Sequence, residues 1–261
     1  MIWKTAFYSK NGSISWEGKV AIDGEEFISF LQGPVASRLN DEEGKQTFTD
    51  HLHSLSLTGM GQKALEEVLR AEVPEMRDWA AGEALAEAVL ESDHNVIFPW
   101  NMERDKRNSN ASLPGADIVG LQQDVDSFRL AVGEVKSSSE YKSPPQVLYG
   151  KSGMIHQLER LAENLEMIYQ LINWLFHRVE GTEHESAFRI ACTRYFNSSR
   201  RDLALFGILV RDQEPRESDL ESRGSALAGI LNVPTQCFLI ALYLPWSLAQ
   251  LPKVIYRKES V

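Results

Sequence analysis

Two apolar runs, Ala116-Asp117-Ile118-Val119-Gly120-Leu121 and Phe128 to Val135, constrain this chain most. Each has the length of a strand, and each carries a carboxylate among apolar neighbours: Asp117 in the first, Glu134 near the end of the second. A charge inside an apolar strand costs free energy unless it is paired or hydrogen-bonded, so both acids need partners. A turn at Asp124-Val125-Asp126 joins the runs into a hairpin, entered through Pro114-Gly115. Residues two apart on a strand project from the same face. Glu134 and Lys136 therefore project together, Val135 faces the opposite, buried side, and pairing of the strands brings Asp117 beside Glu134.

Elements on both sides of this hairpin fix the fold class. Pro74 is placed as the first residue of an Ala-, Glu- and Leu-rich helix over about 75–91. Asn95 to Trp100 reads as a strand. Ile155 to Val179 is the longest helical pattern, with Leu158, Leu161, Leu165, Ile168, Leu171, Ile172, Leu175 and Phe176 near the 3.6 period. Phe188–Phe196, Leu203–Val210 and Phe238–Leu244 read as strands, with an acidic loop at 212–223 and a short helix at about 224–231. The order helix, three strands, long helix, strands predicts an α/β fold with a mixed central sheet flanked by helices over residues 74–261. Residues 1–73 read as an N-terminal accessory region. It has short strands at 14–16 and 19–22, an alternating strand at Leu52–Leu57 and a helix over Ala64–Ala71.

Composition narrows the class further. Of 261 residues, 43% are hydrophobic and 25% charged, ordinary for a folded domain. No long uncharged apolar run predicts a membrane span, and the first residues lack the pattern of a signal peptide. Cys192 and Cys237 are too few for a disulfide framework and sit in apolar runs as buried thiols, which fits a cytoplasmic setting. Gly59-Met60-Gly61-Gln62-Lys63-Ala64 has the form of a dinucleotide fingerprint, but no acidic strand follows at the right distance. The glycines read instead as the entrance to a helix. His51 and His53 have a metal-like spacing without an evident third ligand. No nucleophile elbow and no Walker A loop appear.

Hydrolysing a phosphodiester requires neutralising charge on phosphorus, activating water and stabilising the leaving oxygen. Mg²⁺ or Mn²⁺ held by carboxylates supplies these functions, and a lysine beside it stabilises transition-state charge or orients the water. Asp117, Glu134 and Lys136 provide those parts. A bare E-x-K is more often a solvated surface pair, but this one closes the apolar run Leu130-Ala131-Val132.

The pattern Gly115-Ala116-Asp117, hairpin, Gly133-Glu134-Val135-Lys136-Ser137 resembles the PD-(D/E)xK nuclease superfamily, with two residues inserted between Pro114 and Asp117. The resemblance implies a restriction-endonuclease-like core and a further glutamate on the preceding helix. Gly82-Glu83-Ala84-Leu85-Ala86 makes that residue Glu83, with Glu87, one turn later, as the competitor. More narrowly, the block from Trp79 to about Leu161 is similar to the nuclease subunit of the Hachiman antiphage defence system. That likeness implies a bacterial cytoplasmic DNA nuclease paired with a helicase-like subunit. It gives Asp117, Glu134 and Glu83 as ligands of Mg²⁺ or Mn²⁺. In related nucleases a polar residue opening the long helix faces the site; here it is Gln157, which reads equally as an ordinary helix-terminal residue. Lys142, Lys151 and Arg104, with Lys106 and Arg107, could form a phosphate rim or be merely solvated. A net charge of −10 predicts weak binding to free duplex DNA. The expectation is that a partner delivers the substrate and that residues 1–73 help dock it. The competing reading is a nuclease-like module without catalysis.

Overall fold

The chain begins with a β-hairpin, β1 (Trp3–Asn11) and β2 (Ile14–Ala21). Its two-residue loop places Gly12 at φ 61, the left-handed position such a loop demands. The computed structural model describes residues 2–55, 58–71, 77–105 and 115–257. A helical stretch follows, α1 (Glu25–Phe30) and α2 (Ala36–Leu39), joined by a wider turn, Leu31–Val35, that accommodates Pro34. Phe27, Leu31, Val35 and Leu39 recur every fourth residue and are all buried. Helices α3 (Glu42–Leu55) and α4 (Gly59–Leu69) come next, and neither buries a residue.

Then come α5 (Ala81–His94), β3 (Val96–Ile97) and α6 (Met102–Asp105). The hairpin strands are β4 (Ile118–Asp124) and β5 (Ser127–Ser138). After them run α7 (Met154–Glu163), α8 (Leu165–Val179), α9 (Glu185–Asn197), β6 (Leu203–Arg211), α10 (Glu221–Ala228), β7 (Gln236–Tyr243) and α11 (Leu251–Ile255). The protein is mixed α/β, a seven-stranded sheet flanked by helices, in the order β1-β2-β7-β6-β5-β4-β3. The centre, β2-β7-β6-β5, is parallel, and β1, β4 and β3 turn back antiparallel at the flanks. Every residue of β6 is buried, as a central parallel strand covered on both faces requires. Phe27, Leu31, Val35 and Leu39 share one apolar core with Ala84, Leu85 and the sheet.

Register assigns the two faces. Glu134 of β5 pairs with Gly207 of β6, and a side chain at Gly207 would run into Leu158 and Met154 of α7. Glu134 therefore projects on the α7 face. On the other face, a side chain at Gly82 of α5 would meet Ser137 Oγ at 2.8 Å. Gly82 is what allows the first turn of α5 to close on the end of β5.

Six expectations need correction. The short strands at 14–16 and 19–22 are one continuous strand, β2, held by β1 and β7 along its length. The helix expected over about 75–91 is α5, which starts at Ala81 after a short turn at 78–80 and runs on to His94. Phe188–Phe196 is helical, part of α9, because its buried residues Phe188, Ala191, Cys192 and Tyr195 stand at i, i+3, i+4 and i+7. Leu52–Leu55 is the last turn of α3, and 56–57 lie outside the described residues. Four residues of alternation do not separate a strand from a helix edge, and Leu55 is exposed, unlike a strand residue on a core face. The single helix over 155–179 is two. Asn164 leaves the helical conformation, and its side chain accepts a hydrogen bond from Met167 N at 3.0 Å, capping α8. The apolar period crosses the break because both helices bury residues in the same core. The strand expected over 95–100 pairs only through Val96 and Ile97. Pro74 lies outside the described residues. At Thr58 the hydroxyl accepts from Gly61 N at 3.1 Å, so Gly59-Met60-Gly61 is a capped helix start. Cys192 and Cys237 are free and buried. Burial raises their thiols to about 11 and about 12, so both stay protonated and unreactive.

Candidate active site

Asp117 immediately precedes β4, and its backbone N–H donates to Gly133 O at 3.0 Å. The β4–β5 register, carried one residue past Ile118–Gly133, sets Asp117 opposite Glu134. Asp117 Oδ2 accepts the Val135 N–H at 2.9 Å, which holds the carboxylate against β5. Gly115, two residues earlier, has φ 77, a conformation that admits the chain into β4 and that other residues rarely adopt. The structure thus brings Asp117 and Glu134 together as the hairpin spacing predicts.

Glu134 and Lys136 share a face of β5, and Lys136 Nζ stands 2.5 Å from Glu134 Oε1. Glu134 is 6% exposed. Burial, and then the charge of Asp117, push its carboxyl up to about 7, against the pull of Lys136; the charge of Glu83 adds to the rise. Glu83 lies in the first turn of α5, next to the Gly82 contact with β5. Three carboxylates therefore act on one another here, with one lysine among them.

Glu87 is fully buried, and its Oε2 accepts from Arg38 Nε at 2.6 Å. Arg38 also donates to Trp100 O and lies over the Phe98 and Trp100 rings. That geometry commits Glu87 to a structural pair and leaves Glu83 as the α5 carboxylate whose charge reaches Glu134.

Lys136 opens onto a cavity of about 410 Å³ that Glu140, Gln146, Val147, Tyr149 and Ser152 also line. Lys142 stands over the Tyr149 ring, 6.0 Å from its centre, and so joins the rim of this groove. Lys151 is exposed in the turn that follows Gly150. Gln157 is half-buried in α7, where its Oε1 accepts from Arg160 Nη1 at 3.4 Å. Arg104 is elsewhere. It pairs with Asp41 at 3.0 Å and Asp105 at 3.2 Å and lines a second cavity, beside Trp100 and His184. Lys106, Arg107 and Pro114 lie outside the described residues.

Sequence reasoning missed Tyr149, whose ring has Lys142 and Arg223 beside it, and Tyr141, whose ring has Arg216 beside it. A signal was available in the alternation of tyrosine and lysine at Tyr141-Lys142 and Tyr149-Gly150-Lys151. The arginine partners come from a distant part of the chain and carry no local signal.

The donor chemistry can be tested against a divalent cation. Carboxylate oxygens are the hard ligands that Mg²⁺ and Mn²⁺ take, and the buried Glu134 with the half-buried Asp117 and one lysine carries the negative excess that such an ion neutralises. Among the described residues no group of three or more His, Cys, Asp or Glu is placed to hold an ion. The fit is to a pair, Asp117 and Glu134, and Mg²⁺ is commonly held by one or two carboxylates together with substrate phosphates. Among the described residues no helix is long and apolar enough to cross a membrane. Compared with protein-family models and with curated protein sequences, the chain matches none.

Proposed function

We propose that the chain is a metal-dependent DNA nuclease with a restriction-endonuclease-like core. The observation that carries this reading is Glu134, a buried carboxylate between Asp117 and Lys136, whose ammonium lines an open groove. A merely structural ion pair needs neither the second carboxylate nor the groove. Mg²⁺ or Mn²⁺, when bound, supplies the charge that polarises the phosphoryl group and lowers the pKa of water. Asp117 and Glu134 would hold it, with Glu83 as a third carboxylate nearby. Val135 N–H fixes the orientation of Asp117. Lys136, released from Glu134, places its ammonium where charge develops on the phosphate oxygens.

The same reading places the protein in the bacterial cytoplasm as the nuclease of an antiphage defence complex, with a helicase-like partner delivering the DNA. Two features support a partner. The net charge of −10 disfavours unaided binding to duplex. Helices α3 and α4, within residues 1–73, bury nothing and expose Phe48, Leu55, Met60 and Val68.

The test is degradation of circular DNA by the purified chain, alone and with the product of a neighbouring helicase gene, with Mg²⁺ and with chelator. Cleavage that needs the metal and disappears in Lys136→Ala supports the reading. Cleavage unchanged in that variant contradicts it. One observation favours a second reading, a nuclease-like module without catalysis: Lys136 already satisfies Glu134, and no third ligand is in place among the described residues. Calorimetry separates the two, since only the nuclease must bind Mn²⁺.

A further inference from the structure

Beside Lys136 the surface changes character. Tyr141 is 77% exposed, and the Arg216 guanidinium lies 4.9 Å from its ring centre. Tyr149, which lines the groove with Lys136, has Arg223 at 4.6 Å and Lys142 at 6.0 Å from its ring centre. Tyr149, Arg223 and Lys142 thus gather at the groove, and Tyr141 with Arg216 follows Glu140, which also lines it, in a chain whose overall charge is strongly negative. Two of the nearby carboxylates are occupied. Glu140 Oε2 accepts from Gln146 N at 2.8 Å, and Glu217 Oε1 accepts from Ser9 and Trp16 at 2.6 and 3.2 Å.

The strap that carries Tyr141 and Lys142 is anchored from beneath. Arg211, 1% exposed, pairs with Asp219 Oδ1 at 2.6 Å and donates to the carbonyls of Glu140 and Lys142. Ser143 Oγ donates to Asp219 Oδ1 at 2.6 Å, and Tyr243 donates to Asp219 Oδ2 at 2.8 Å. This buried, multiply bonded pair, Arg211 at the end of β6 and Asp219 in the 217–219 turn, holds the backbone at 140 and 142 and the Ser143 side chain, so Tyr141 and Lys142 are presented at little cost in ordering on binding.

Cations alone suffice to follow a duplex backbone. Aromatic rings such as the exposed Tyr141 and the half-buried Tyr149 add nothing there, because duplex bases are already stacked and show their faces only where unpaired. Alternating rings and cations are the chemistry of an unpaired strand. We infer that the groove at Lys136 takes DNA as an unpaired strand, with bases stacking on Tyr141 and Tyr149 and phosphates following Lys142, Arg216 and Arg223. The inference rests on the nuclease reading and names the substrate form for that site. Duplex reaches this site only where it is opened or frayed.

The experiment is fluorescence anisotropy with the full chain carrying Glu134→Gln, so that the probes stay intact. The probes are a labelled oligothymidine of about 15 nucleotides and a blunt hairpin duplex of equal phosphate count. The strand binds more tightly than the duplex. Tyr141→Ala and Tyr149→Ala each weaken strand binding about tenfold, their Phe counterparts retain it, and duplex binding does not move. Tighter duplex binding, no strand binding, or strand affinity indifferent to both alanine variants overturns the inference. Cleavage of the same strand by the wild-type chain with Mg²⁺ is read separately. Tyrosine-dependent binding without cleavage contradicts the nuclease reading and leaves the strand track standing. Cleavage without tyrosine dependence contradicts the track alone.

Discussion

Glu87 and Glu134 are both driven to about 7, and burial is the first cause in each. Their surroundings differ in kind. Glu87 has a guanidinium bonded to it at 2.6 Å, with Phe98 and Trp100 closing over the cation. It is fully enclosed, and Arg38 ties the α1–α2 stretch to α5. Glu134 has the Lys136 ammonium at 2.5 Å, feels the charges of Asp117 and Glu83, and lies next to the groove that Lys136 lines. Burial alone therefore does not mark a functional carboxylate. Like charge does not mark it either, since Glu83 and Glu91 raise Glu87 as Asp117 and Glu83 raise Glu134; what separates them is the cation, an enclosed guanidinium at Glu87 and a partly exposed ammonium lining a groove at Glu134.

The sharpest break of this comparison is Arg38→Ala. Leaving Glu87 buried without its cation should cost about 3–5 kcal/mol of stability, read as a fall in thermal midpoint, with cleavage by the folded fraction little changed. Loss of cleavage at full stability would erase the distinction. Lys136→Ala should act chiefly on activity: cleavage falls about 10²–10³-fold, while stability falls less than for Arg38→Ala, because Lys136 is 25% exposed where Arg38 is 9%.

Glu134→Gln removes charge from a crowded acidic site, so it should raise stability by about 1 kcal/mol near pH 8 while abolishing cleavage. Chemical denaturation of the metal-free chain checks it. The pH profile sharpens the point. Both glutamates titrate above their ordinary value of 4.5 in the folded chain. Each contributes stability that is complete below about 4.5 and is lost as pH rises through about 7. Glu134→Gln should flatten part of that decline and leave the part due to Glu87. The smallest effect belongs to Asn164→Ala, which removes the cap of α8 and should cost about 1 kcal/mol without altering cleavage.

The candidate site was more legible in the sequence than its surroundings. Two apolar runs of strand length and a short turn suffice to set Asp117 against Glu134, because strand pairing is a local rule once the hairpin is recognised. The helices were harder. Buried residues of α9 follow helical spacing, but Phe188 to Phe196 is rich in residues that also suit strands. The break at Asn164 hides under a continuous apolar period. What no local pattern could give is pairing across long separations. Arg38 with Glu87, Arg211 with Asp219 beneath the 139–145 strap, and Arg216 with Tyr141 appear only when the sheet brings them together. Glu83 and Glu87 were equivalent on a helical wheel; Arg38 separates them.

Calorimetric titration of the metal-free chain with Mn²⁺ at about pH 8, set against Glu134→Gln and Arg38→Ala, tests the central distinction most directly. Wild type and Arg38→Ala should bind the ion, and Glu134→Gln should bind at least about tenfold more weakly. Equal binding by all three, or none by wild type, would contradict the assignment of Glu134 as the carboxylate that holds the metal.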